Sequence, residues 1–157
     1  MSAAAEAGLS ARAAQLLYAY ARAVDEGDIE TLRQLAVPDV SLTRSDGTRH
    51  GIEAFLDLYR GFAAAPVLGS KHAITNVQAV PEPDGSVRAR AYFQAAMFDP
   101  GEQTRLVIGQ YSDSMREVDG QLLFTHKRIA VERVVTIASG TAEYVGVTPQ
   151  PAGQATG

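Results

Sequence analysis

The stretch Thr104–Ile137, TRLVIGQYSDSMREVDGQLLFTHKRIAVERVVTI, decides the fold. It holds two long runs rich in β-branched and apolar residues, Thr104–Val118 and Gln121–Ile137, joined by Asp119-Gly120. An Asp-Gly pair between two such runs predicts a tight hairpin, because both turn positions tolerate a positive φ. Working outward, two more runs of the same kind precede it, Ser70–Val80 and Ser86–Phe98. The breaks between runs are Pro81-Glu82-Pro83-Asp84-Gly85 and Asp99-Pro100-Gly101-Glu102, both strong turn formers.

Upstream of residue 66 the apolar period is that of a helix. From Ser10, a candidate N-cap, Ala13, Leu17, Ala21 and Val24 recur at three- and four-residue spacing up to Glu26 and Gly27. Asp28 then caps a short second helix to about Leu35, which Pro38 stops. Val40 and Leu42 alternate with Ser41 and Thr43 as a short strand, followed by a turn at Ser45-Asp46-Gly47 and a loop at His50. A third helix carries Ile52, Phe55, Leu56, Tyr59 and Phe62 on its apolar face and ends before Pro66. Three helices followed by hairpin-linked strands predict an α+β fold: a cone-shaped α+β barrel in which the helices pack in one strongly curved antiparallel sheet. Such a sheet encloses a cavity suited to a small molecule. The domain is expected over 10–145, with flexible segments at 1–9 and at the Pro/Gly-rich 146–157.

Composition removes several classes of function. There is no cysteine, hence no disulfide scaffold, thiol nucleophile or Cys-ligated zinc. Net charge is −4 with 14 scattered Lys and Arg, which gives no basic footprint for nucleic acid. No apolar run approaches the ~18 residues of a membrane span, and Met1–Gly8 lacks the pattern of a secretory signal, so a cytoplasmic location is expected. The histidines His50, His72 and His126 lack metal-motif spacing, and no phosphate loop, dinucleotide fingerprint or nucleophile elbow is present. A protein working without metal or cofactor is expected.

Acid–base chemistry remains. Asp25 continues the stripe of Leu17 and Ala21 at four-residue steps, and a carboxylate on a buried edge must be paired, capped or functional. His72 shares one strand face with Ile74 and Asn76, and imidazole is the side chain suited to moving protons near neutral pH. His72 and Asp25 are therefore the catalytic candidates, each with a purely structural role as the alternative. Tyr20, Tyr59, Asn76, Tyr92, Tyr111 and Arg128 are the candidate substrate contacts. A further set, Tyr18 or Tyr20 with Asp46 or Asp113, would make a hydroxyl-and-carboxylate site. Gly109, inside a strand, marks a bend or the close approach of a ligand.

The succession Tyr20–Asp28, Gly51–Phe55, His72–Asn76, Gly109–Asp113 and Asp119-Gly120 resembles the SnoaL-like branch of the nuclear-transport-factor-2-like superfamily. The resemblance covers about residues 10–137 and implies the same helix-filled cone. It implies a small-molecule enzyme such as a polyketide cyclase, a dehydratase or an isomerase, and a homodimer. A non-catalytic binding or accessory subunit of the same fold is the alternative. Asp25 and His72 match the Asp and first His of the scytalone dehydratase pattern. Val24 stands where that pattern has Tyr, and its second His has no counterpart in Ser86–Phe98. The expected substrate is a largely apolar, polyketide- or terpenoid-like metabolite.

Overall fold

The computed structural model describes residues 3–101 and 103–138. Helix α1 (Ala3–Glu26) buries Ala13, Leu16, Leu17, Tyr20, Ala21 and Ala23. It begins upstream of Ser10, so most of the segment expected to be flexible is its first turns. Ser10 is an interior helix residue rather than an N-cap, and its Oγ accepts from the Ala79 amide at 3.0 Å. The Ala-rich start explains the extension, since alanine costs least to hold in a helix. Gly27, at φ 67°, closes the helix. Its amide donates to Val24 O and the Asp28 amide donates to Ala23 O, the paired bonds of a glycine-terminated helix end. That ending puts Asp25 in the last helical turn.

Asp28 caps α2 (Ile29–Gln34) as expected, accepting from the Thr31 amide at 2.9 Å. Helix α3 (Ile52–Ala63) follows Gly51 and buries Phe55, Leu56 and Tyr59. No helix among the described residues is long and apolar enough to cross a membrane.

The strands are β1 (Ala36–Arg44), β2 (Gly47–His50), β3 (Gly69–Pro81), β4 (Val87–Asp99), β5 (Gln103–Val118) and β6 (Gln121–Ile137). They form one sheet in the order β2-β1-β6-β5-β4-β3, with the three helices packed against it as a cone-shaped α+β barrel. Two details differ from the expectation. β1 pairs parallel with β6, so the sheet is mixed, and His50 lies on β2 rather than in a loop. Parallel pairing follows from the chain path: β1 is fed by α2 and joins the far end of a hairpin array with which it shares no direct connection. The β5–β6 turn has Asp119 at φ 50° and Gly120 at φ 80°, as its sequence predicts. The Pro/Gly-rich tail lies outside the described residues.

Within the β3–β6 array, three irregularities set which side chains face inward. In β3 the register with β4 shifts between Thr75 and Gln78, where Asn76 has φ 54°. In β6 it shifts against β5 at Thr125 and again at Glu132. Each inserted residue reverses the inside–outside parity of the strand beyond it. Gly109 sits at the second shift, and a Cβ there would overlap the Ala130 carbonyl oxygen and come within 2.8 Å of the Phe93 ring. The close approach is thus to the protein's own backbone and ring rather than to a ligand. Gly109→Ala should lower stability by about 1–3 kcal/mol, the range for an overpacked interior, read as a lowered thermal midpoint.

Candidate active site

A cavity of about 610 Å³ opens between the sheet and the helices. Val24, Phe62, Phe93, Ala95, Met97, Val107, Ile129 and Val131 give it largely apolar walls. Tyr20, Asp25, His72 and Tyr111 also line it. That size suits an organic molecule of drug-like dimensions.

Asp25 reaches across from the end of α1 to the start of β3. Its Oδ1 lies 2.6 Å from His72 Nδ1 and accepts from Ser70 Oγ at 2.6 Å, while Oδ2 accepts from the His72 amide at 2.8 Å. The two side chains are only 9% and 12% exposed. A carboxylate in the last turn of a helix meets the negative end of the dipole, an unfavourable place for it. Three donors from β3 offset that cost. Burial pushes the Asp25 carboxyl up, but the bonds from the His72 ring, Ser70 and the His72 amide outweigh it and leave the group below its ordinary 3.8. The pairing fixes the ring: Nδ1 is engaged, and Nε2 has no hydrogen-bond partner among the described residues.

The depressed carboxyl has a consequence for folding. A group with a lowered folded-state pKa adds stability above its unfolded value and loses it as pH falls through the folded one. Asp25→Asn should therefore melt below the wild type near pH 7, with the gap closing as pH drops beneath about 4. Parallel thermal melts across that range check the sign.

An aromatic layer forms one wall of the cavity. Tyr20 and Tyr59 hydroxyls are 3.0 Å apart, and Phe93 and Tyr111 rings stack with centroids at 4.4 Å. Burial holds the Tyr20 and Tyr111 hydroxyls well above their ordinary 10.0, so both stay protonated donors. Under them Lys127 is fully buried. Its Nζ is 2.7 Å from Asp113 Oδ2 and 3.6 Å from the centre of the Tyr111 ring. Burial pushes Lys127 down and Asp113 up, against their mutual attraction.

The structure brings Asp25, His72, Tyr20 and Tyr111 to one cavity, and Tyr59 stands one layer behind through Tyr20. The other candidates fall elsewhere. Asn76 is exposed within the β3 bulge, which breaks the alternation that linked it to His72. Tyr92 is 58% exposed on the outer face. Arg128 is exposed too, and only its amide points to Asp113, at 2.9 Å. Thr125, the extra residue, turns Lys127 inward in its place. The alternative hydroxyl-and-carboxylate set is not assembled: Tyr18 is 46% exposed, Asp46 binds Arg49, and Asp113 binds Lys127. Sequence reasoning missed Lys127, Arg44, Arg105 and Phe62; only Phe62 had a usable signal, at the end of an apolar helix face. Among the described residues no three His, Asp or Glu converge as a metal site. His50 instead meets Ser41 and His126 meets Thr43.

A curved sheet wrapped around three helices, with a carboxylate–imidazole pair opening on an apolar chamber, defines a protein of the conical α+β class. The family model for the SnoaL-like domain matches residues 8–128, and the chain belongs to that family. No protein of curated function matches the sequence. Among solved structures, it is similar to a putative scytalone dehydratase from Novosphingobium aromaticivorans, at 19% identity and a TM-score of 0.72, over 88% of this chain and 93% of that one. It is likewise similar to the hexachlorocyclohexane dehydrochlorinase LinA-type3 from Novosphingobium barchaimii, at 19% identity and a TM-score of 0.73, over 87% and 94%. A protein of unknown function from Mycobacterium tuberculosis, Rv3472, aligns at 18% identity and a TM-score of 0.70, over 79% and 72%. At these identities the likeness is one of fold.

Proposed function

We propose that the protein is a cofactor-independent acid–base enzyme that moves a proton on a small, largely apolar metabolite, in a dehydration, isomerisation or cyclisation. The observation that carries this reading is the 2.6 Å contact between His72 Nδ1 and Asp25 in the wall of the cavity. A merely structural pair would be sealed into packing, whereas this one leaves Nε2 for a ligand. His72 Nε2 takes a proton from a carbon next to a carbonyl, and the C–H electron pair moves toward the carbonyl oxygen. Asp25 holds the ring's orientation and stabilises the imidazolium that forms. Tyr20 and Tyr111, kept protonated by burial, donate to the oxygen that gathers charge. In an elimination the electron pair returns to expel a leaving group on the next carbon; in an isomerisation the proton returns to a different carbon.

The dehydratase and dehydrochlorinase named among the similar structures carry out eliminations by name, which agrees with this reading. A polyketide- or terpenoid-like skeleton suits the apolar walls, and a homodimer through the outer sheet face is part of the same proposal. The test needs no knowledge of the natural substrate. Bicyclic β-hydroxy ketones incubated with the protein in deuterium oxide should gain deuterium next to the carbonyl, or lose water, at a rate that His72→Ala abolishes. Exchange at the solvent rate with the wild-type protein across such a panel overturns the reading.

A further inference from the structure

Arg44 ends β1 and lines the same cavity as His72. The other arginine in the lining, Arg105, is held by both oxygens of Asp99, at 2.5 and 2.8 Å. Arg44 has no hydrogen bond or ion pair with any described residue. The nearest carboxylate on its own turn, Asp46, is occupied by both terminal nitrogens of Arg49. The Arg44 guanidinium instead lies 5.6 Å from the centre of the Phe62 ring, which is itself 42% exposed at the end of α3. A half-buried guanidinium that lies over an aromatic ring and has no acceptor of its own keeps its donors available to a ligand.

The cavity lining carries both signs of charge. Asp25 and Glu26 of α1 line the cavity together with His72 of β3. Arg44 stands on β1, and β6, β5 and β4 separate it from β3 in the sheet. Four strand spacings are about 19 Å along the arc, and the curvature turns these far-apart strands toward one chamber. An anionic group is drawn to Arg44, because the Asp25 oxygens are already occupied by Ser70 and His72. A neutral carbon skeleton then extends along the apolar wall of Phe93, Val107 and Ile129 toward the imidazole.

We infer that Arg44 is the anchor for a carboxylate on the ligand, so that the cavity takes an apolar carboxylic acid with its charged end at Arg44 and its reacting carbon at His72. This rests on the proposed reading that the cavity is the substrate site, but its test is a binding measurement that does not depend on turnover.

The probes are a naphthalene carboxylate and the matching primary amide, titrated calorimetrically into the full chain near pH 7. The wild type should bind the carboxylate about tenfold or more tightly than the amide, the size expected of a charge-assisted hydrogen bond. Arg44→Met should lose that preference with the amide affinity held within about twofold, and Arg44→Lys should keep part of it. His72→Ala should keep it whole. Circular dichroism establishes that each variant is folded, and Arg44→Gln replaces Arg44→Met if the latter is not. Equal binding of the two probes, binding of neither, or a preference that survives loss of Arg44 overturns the inference. So does a preference that vanishes in His72→Ala, because the imidazole would then be the group that reads the charge. Proton exchange dependent on His72 can persist through any of these failures, which keeps the two proposals separable.

Discussion

His72→Ala is expected to cut kcat on the protein's substrate by about 10²- to 10⁴-fold, the usual contribution of one positioned general base. The ring makes its hydrogen bonds to a single residue, Asp25, and it borders a cavity, so its removal opens space without cutting into the core. KM should change far less than kcat, because the imidazole acts on the proton in flight rather than on the resting ligand. Asp25→Asn should fall between the wild type and His72→Ala: the amide can still hold the ring but no longer stabilises its protonated form. Ser70→Ala, which removes one of three donors to Asp25, should be milder again. Steady-state kinetics with the three variants check this order. Turnover by His72→Ala within about threefold of wild type would remove the imidazole from the mechanism.

The second large effect concerns stability. Lys127→Met leaves Asp113 buried without its cation, and should cost about 3–5 kcal/mol. For a domain of this size that corresponds to a thermal midpoint lowered by roughly 6–20 °C. Both side chains are wholly inaccessible, so no water can take the ammonium's place without rearrangement. The ammonium also lies against three rings, 3.6 Å from the centre of Tyr111, 4.3 Å from Tyr20 and 4.9 Å from Phe124. Its loss therefore loosens the layer that carries two cavity tyrosines. The double variant Lys127→Met with Asp113→Leu should regain most of the stability, since an apolar pair avoids the cost of two desolvated charges. Thermal melts of the single and double variants decide the point. A double variant no more stable than the single one would mean that the pair is needed for packing as well as charge.

What was legible in the sequence follows a physical division. Helices and strands follow from local periodicity and turn chemistry, so the Asp119-Gly120 hairpin, the Asp28 cap and the four long strands lie within a residue or so of where their patterns place them. Asp25 was marked by its place on an apolar stripe, and His72 by its company on a strand face. Their pairing across 47 positions was open to the resemblance but not to spacing alone. Asn76, Tyr92 and Arg128 fall outside the cavity because alternation does not carry through a bulge and does not by itself say which face of a strand is inner. A single inserted residue such as Thr125 moves Arg128 out and Lys127 in, and nothing in the composition of β6 marks that step.

The chain by itself determined the order of its elements, the turns between them and the absence of a thiol or a basic footprint, because these depend on near neighbours and on composition. Only the tertiary structure decided which face of each strand looks inward, that β1 lies parallel beside β6, and that Arg44 shares a chamber with His72. Those outcomes are set by register and curvature summed over many residues distant in sequence, and no short window of residues contains them.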